Sequence, residues 1–269
     1  MLALSYLAAA AIGISLGLIG GGGSILTVPV LVYLFGVEPV VATGYSLFIV
    51  GTTALVGAIP KYRQGLVNLK TAAMFGIPSI VAVFTARAFL VPMIPTIIFQ
   101  VGDWVLTKNI LIMVFLAILM VAASFSMIRN KKVLSGGDTL PEVPPRNFWL
   151  VALDGIMVGT VTGSVGVGGG FLIIPALVIL IRLPMKEAIG TSLAIIAANS
   201  LIGFTGDLAH RSMDWVLLLS ITAIAVLGII VGDALSKKVD GLKLKKGFGW
   251  FILVMGVYII LKEWFSSVG

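Results

Sequence analysis

The sequence predicts an all-α membrane protein with about eight hydrophobic spans in two repeats of about four, the first span of each repeat broken at a cluster of glycines. Three observations carry that prediction. Hydrophobic residues make up 59% of the 269-residue chain and charged residues 11%, against about 25% charged in an ordinary soluble domain. Apolar stretches of about 17 to 25 residues, enough to cross a hydrocarbon core about 30 Å thick, recur from end to end with charges confined to short connections. The chain also aligns with itself at a constant offset, residue 13 falling on residue 159.

The repeat is clearest where it begins. "GISLGLIGGGGSILTVPVLVYL", residues 13–34, falls without a gap on "GTVTGSVGVGGGFLIIPALVIL", residues 159–180. Gly13, Gly17, Gly20, Gly22, Gly23 and Pro29 thereby match Gly159, Gly163, Gly166, Gly168, Gly169 and Pro175. The register continues through Gly44 and Ser46 onto Gly190 and Ser192, and later pairs Asn68 with Asp214. Between the copies, "RNKKVLSGGDTLPEVPPR" is rich in Gly, Pro and charge and reads as a solvated linker. The expected units are an N-terminal transmembrane repeat, 1–128, a cytoplasmic linker, 129–146, and a C-terminal transmembrane repeat, 147–269.

In chain order, the first half supplies a broken span over 3–35 and continuous spans over 40–60, 69–87 and 109–128. The second half supplies 148–182, then 187–206, 214–232 and 246–265. Residues 88–108, which contain Pro92, Pro95 and Asp103, are expected as a loop or interfacial segment with no counterpart in the second half. If each broken span counts as two helices, there are up to ten.

Charge decides whether a broken span crosses the membrane once or turns back, because short cytoplasmic loops collect Lys and Arg. Single crossings would divide the 18 Lys and Arg residues nine to nine between the two sides. Hairpins that enter and leave on one face divide them fourteen to four, the bias of a real topology. Hairpins also invert the two halves relative to each other and place both termini outside the cytoplasm. The first 19 residues are apolar without a basic leader and run straight into the glycines, so they are expected to stay in the protein.

Several function classes are excluded. The net charge of +7 comes from cations at span ends rather than on a polar face, so it argues for topology and not for nucleic acid. The absence of cysteine removes disulfides, thiolate metal sites and a Cys nucleophile. A single His and no nucleophile–base spacing within a span argue against an intramembrane enzyme, and no cofactor or metal is expected. Neither glycine cluster ends in Lys-Ser/Thr or follows a strand, so nucleotide binding fails on context.

Inverted repeats with discontinuous helices mark secondary transporters, whose sites form near the midplane between the repeats. After each cluster a new helix begins, at Ser24 and at Gly170, and its first N–H groups have no intrahelical partner. Such a terminus attracts anions. The expected substrate-binding residues are Gly20, Gly21, Gly22, Gly23, Ser24 and Ser46 in the first half, and Gly166, Gly168, Gly169, Gly170, Ser192 and Asn199 in the second. Gly13 with Gly17, and Gly159 with Gly163, read as close-packing pairs. Pro29, Pro175, Gly44 and Gly190 read as structural. Ionisable residues in spans are functional candidates by default, which marks Asp154 for ion coupling. Asp207 and His210, expected in a short outer loop with Arg211 and Asp214, are further coupling candidates. Asp233 is expected to pair at the surface with Lys237 and Lys238. A passive anion channel would use the same helix termini and is the alternative reading.

"GLIGGGGSILTVPVLV", its copy "GSVGVGGGFLIIPALV", the following "ATGYSLFIV" and "AIGTSLAII", and the polar "GLVNLK" and "RSMDW" together resemble the sulfite exporter TauE/SafE family of membrane transporters. The resemblance runs through nearly the whole chain in duplicate order. It implies transport of a small inorganic or organosulfur anion (sulfite, thiosulfate or a sulfonate) across the inner membrane, with coupling to H+ or Na+. Carried over by position, it supports Gly20, Gly22, Gly23, Pro29, Gly44 and Ser46, and Gly166, Gly168, Gly169, Pro175, Gly190 and Ser192. Two departures stand out: segment 88–108 is longer and more apolar than the family pattern, and Ser24 stands where the second copy has Gly170.

Overall fold

A computed structural model describes residues 2–101, 104–129, 148–208, 213–236 and 241–266. The first half runs α1 (Leu2–Ile19), a 3-10 turn (Gly22–Leu26), α2 (Thr27–Tyr33), α3 (Pro39–Arg63), α4 (Leu69–Thr85), a π-helical turn (Ala86–Leu90) and α5 (Val91–Met93). Strands β1 (Ile97–Val101) and β2 (Trp104–Thr107) then lead into α6 (Lys108–Arg129). The second half runs α7 (Phe148–Val165), α8 (Gly170–Pro175), a π-helical turn (Ala176–Leu180), α9 (Met185–Leu208), α10 (Trp215–Ser236) and α11 (Gly241–Ser266). Among the described residues, five helical stretches are long and apolar enough to cross a membrane: Pro39–Arg63, Leu69–Met93, Lys108–Phe125, Met185–Leu208 and Trp215–Ser236. Large apolar side chains such as Val216, Leu7, Leu227 and Ile77 are exposed on the outside of the bundle, as a lipid-facing surface requires. The fold class is the expected one.

Local signals explain where elements begin. Pro39 opens α3 from its first turn, where its missing N–H is no loss. Asn68 caps α4 by accepting from Thr71 N–H at 3.0 Å, and the matched Asp214 caps α10 by accepting from Leu217 N–H at 3.0 Å. The two caps relieve the same orphan donor at repeat-related helix starts. One segment departs from expectation. Strands β1 and β2 pair antiparallel, Gln100 opposite Val105 and Val101 opposite Trp104, where a loop or interfacial segment was expected. The run Ile97–Val101 is rich in β-branched and aromatic residues, which favour strand wherever a partner strand is near.

The first broken span turns back on itself. Ser5 Oγ donates to the carbonyl of Leu34 at 3.1 Å, and the Tyr6 and Phe35 rings meet edge-on at 5.7 Å, so the chain leaves beside the point where it entered. In the second half Val151 belongs to the same buried cluster as Leu177, Val178 and Leu183.

The halves interlock by exchanging neighbours. α1 packs against α10 and α7 against α4, while α3 packs on α9 and α6 on α11. Small residues allow the first two contacts, and the repeat register holds at single residues. A Cβ on Gly13 would lie 2.0 Å from the Ala225 carbonyl, and one on the matched Gly159 would lie 2.4 Å from the carbonyl of Ser79, the match of Ala225. Gly17 meets Ile229 and its match Gly163 meets Val83 in the same way. These four glycines pack helices, as their spacing predicts. The linker 129–146 lies almost wholly outside the described residues.

Candidate functional site

Each glycine cluster is the tip of a hairpin. α1 ends as Gly20 N–H donates to Leu16 O, and α7 ends as Gly166 N–H donates to Thr162 O, both at 2.8 Å. Gly20 and Gly166 hold φ of 77° and 70°, the left-handed conformation that terminates helices at little steric cost only for glycine. The two tips then touch: a Cβ on Gly170 would sit 2.3 Å from the carbonyl oxygen of Gly21. Ser24 Oγ turns back to donate to that same carbonyl at 2.8 Å, so its hydroxyl is committed within the first tip.

The surroundings of the two tips differ in chemistry. At the first, Gly20 faces Ile189 and Gly21 faces Ile196. Gly23 is closed off by the Ser15 side chain and the α1 backbone. At the second, Gly166 faces Thr43, Gly168 faces Val50 and Ser200, and Gly169 faces Thr162. In repeat register Thr43 stands where the other half has Ile189, and Ser200 where it has Ala54. Ser46 lies between Thr43 and Val50 on the α3 face that both present to the second tip, since residues three and four apart share a helix face. By the same spacing Ser192 lies between Ile189 and Ile196 toward the first tip, so the difference is local: Gly20 and Gly21 meet isoleucines where Gly166 and Gly168 meet Thr43 and, with Val50, Ser200.

Of the hydroxyls and amides nearby, some are already used. Ser192 Oγ donates to Ile189 O at 2.8 Å on its own helix, Thr43 Oγ1 donates to Val40 O at 2.7 Å, and Asn199 Nδ2 donates to Ser79 Oγ at 2.7 Å. Others are buried without a hydrogen-bond partner: Ser46 Oγ, Ser200 Oγ, Asn199 Oδ1 and Thr27 Oγ1. An unmet buried polar atom is unfavourable by about 1–3 kcal/mol, and native structures keep few of them.

Beyond Thr43 lies a residue that sequence reading placed only at the end of the span over 69–87, among the cations that set topology. Arg87 is fully buried, on the π-helical turn after α4, and Asp207, 3% exposed, faces it from the last turn of α9. Arg87 Nε donates to Asp207 Oδ2 at 2.8 Å, Nη2 makes a second close contact with the same oxygen, and Nη1 donates to Thr43 Oγ1 at 3.0 Å and toward Gly163 O at 3.4 Å. Glycines make the space. A Cβ on Gly44 would stand 3.0 Å from Asp207 Oδ2, and one on Gly206 3.1 Å from Arg87 Cβ. Asp207 thus belongs to a helix and a buried ion pair rather than to an outer loop. The glycines of α3 and α9 let the chain of Arg87 pass between them, which hydropathy alone does not reveal.

The remaining candidates separate. Asp233 pairs with Lys61 at 2.7 Å; Lys237 and Lys238, its expected partners, lie outside the described residues. His210 and Arg211 also lie outside them. Asp214 is an exposed helix cap. Asp154 is half-buried on α7 beside Gly155, which packs on Phe75; with Arg87 twelve residues further along the same α4 helix line, it is about 18 Å from the ion pair at 1.5 Å per residue. Gly190 makes room for the Leu66 carbonyl 2.4 Å from its missing Cβ. Pro29 and Pro175 lie in the return helices α2 and α8.

The missed pair had a signal in the repeat. The offset that aligns the glycines places Arg87 on Asp233 and Lys61 on Asp207, so charges of opposite sign occupy matched positions.

A family profile, sulfite exporter TauE/SafE, matches residues 5–259. The chain belongs to this family. A "probable membrane transporter protein" of Xylella fastidiosa (strain 9a5c) is 30% identical over 260 residues, 96% of this chain and 94% of the relative. The "probable membrane transporter protein YdhB" of Bacillus subtilis (strain 168) is 26% identical over 249 residues, 93% of this chain and 96% of the relative. A Haemophilus influenzae relative of the same description is 25% identical over 283 residues, 96% and 98% of the two chains. As a TauE/SafE member the protein is a multi-pass membrane transporter and not an enzyme.

Proposed function

We propose that the protein is a secondary transporter that moves a small sulfur oxyanion or organosulfonate, such as sulfite, thiosulfate or a sulfonate, across the inner membrane under an H+ or Na+ gradient. The substrate binds at the second glycine break, between Gly166–Gly170 and the facing residues Thr43, Ser46, Asn199 and Ser200. The observation that carries this reading is the buried, unpartnered hydroxyl of Ser200 beside Gly168, with Ser46 Oγ and Asn199 Oδ1 likewise unpartnered on the two helices that face the break. A bound oxyanion would accept from the two serine hydroxyls and from the first N–H groups of the return helix, the donors a helix start leaves free. The family description supports sulfite as the first anion to test.

Gating is supported by the contact of the tips. With Gly21 and Gly170 in backbone contact, the centre is closed, which suits alternating access better than a standing pore. The positive-inside bias supports inverted halves, both termini outside the cytoplasm and the linker 129–146 inside.

Sulfite flux into proteoliposomes separates the readings. A transporter gives saturable uptake that rises with an imposed pH or Na+ gradient. Uptake that only follows the sulfite gradient and the membrane potential makes the protein a channel, and no uptake of sulfite, thiosulfate or methanesulfonate overturns the proposal.

A further inference from the structure

Arg87 heads the largest fully buried side chains among the described residues, and it is charged. A guanidinium does not shed its proton, so its burial in a membrane protein demands compensation and marks a functional position. Its contacts point two ways. Nε and Nη2 engage Asp207, while Nη1 turns toward Thr43 Oγ1 and the Gly163 carbonyl. Thr43 in turn closes over Gly166 at the second break.

Polar groups recur on the two helices that flank this contact. On α3, Thr43 is followed after three residues by Ser46, whose hydroxyl has no partner. On α9, Ser200 stands seven residues before Asp207, two turns along the same face, and its unpartnered hydroxyl borders Gly168. Gly203 stands between them, where a Cβ would meet Val83 at 2.5 Å and Leu47 at 3.5 Å before Arg87 Cγ at 3.9 Å. The link from the ion pair to the break is therefore Thr43, which accepts from Arg87 and closes over Gly166.

We propose that Arg87 is the cationic anchor of the anion site and that Asp207 is an internal carboxylate holding its place, which the incoming oxyanion displaces. This rests on the reading above that the second break is the site. The chemistry favours it because a planar guanidinium fork recognises an anion through two oxygens at once, and sulfite and sulfonates present three. The repeat-related pair offers a built-in contrast: Lys61 and Asp233 have side chains 15% and 21% exposed, the cation is a lysine, and the matching tip is faced by Ile189 and Ile196.

The test is sulfite and methanesulfonate binding to the purified full-length protein by titration calorimetry, with chloride for comparison. Asp207→Asn removes the competitor and is expected to bind both anions about tenfold tighter. The double variant Arg87→Gln/Asp207→Asn removes both charges of the pair together, so it is expected to keep the fold while binding falls by about tenfold or more. Lys61→Gln/Asp233→Asn is expected to bind like wild type. Should Asp207→Asn alone fail to fold, Arg87→Lys serves instead; it is expected to lose the preference for oxyanions over chloride, since an ammonium is a point charge. A double variant that binds as wild type does, or an Asp207→Asn protein that binds no tighter, overturns the Arg87 proposal. The second break survives that result if Ser46→Ala/Ser200→Ala still loses binding. No binding by wild type or any variant overturns both.

Discussion

Among the described residues, two ion pairs join the halves at repeat-related positions, each taking its cation from the first half and its anion from the second. Lys61 and Asp233 lie partly in solvent, whereas Arg87 and Asp207 are sealed inside the bundle. The tips beside them differ in the same sense, aliphatic at Gly20 and Gly21 and hydroxyl-lined at Gly166 and Gly168. A duplicated backbone gives each half the same hinges and helix contacts, so the scaffold is the part that matches. The part that diverges, a partly exposed ion pair to a buried one and aliphatic to hydroxyl neighbours, is where duplication has been turned to a single purpose.

Substitutions can break or sharpen this contrast. The largest stability loss is expected from Arg87→Gln alone, which breaks the buried pair with Asp207 and destabilises by about 3–5 kcal/mol. Thermal unfolding in detergent would register it, and the matched change Lys61→Gln should lose less than about 1 kcal/mol because its pair is partly screened by solvent. Next comes Gly170→Ala, which drives a methyl into the Gly21 carbonyl; about 1–3 kcal/mol of overpacking strain follows. The matched change Ser24→Ala only removes the hydrogen bond to that carbonyl, worth about 1 kcal/mol. The smallest and most even pair is Asn68→Ala and Asp214→Ala, about 1 kcal/mol each, measured by the same melts. Unequal cap losses would show that the scaffold has diverged as well.

Much of the scaffold was legible in the chain. The glycine clusters, their positive-φ helix ends and the caps at Asn68 and Asp214 are local features, set by residues within a few positions of one another. The pairing of β1 with β2 was hidden because the apolar strand Ile97–Val101 reads equally as an interfacial segment until its partner is known. Arg87 and Asp207 were hidden for a different reason. They are 120 residues apart, each near a span end where a charge ordinarily meets water, and only the packing of Gly44, Gly203 and Gly206 around them turns a boundary into an interior. The glycines proposed for binding were legible as breaks, but the hydroxyls that distinguish the second break lie on α3 and α9 and come together only in the folded bundle.

The most direct test of a substrate site at the second break is the double variant Ser46→Ala/Ser200→Ala, assayed in parallel for thermal stability and for sulfite flux in proteoliposomes. Because both hydroxyls are buried without partners, their removal should raise stability by roughly 1 kcal/mol or more while transport falls by about tenfold. A variant that is equally or more stable and transports at the wild-type rate would contradict the account.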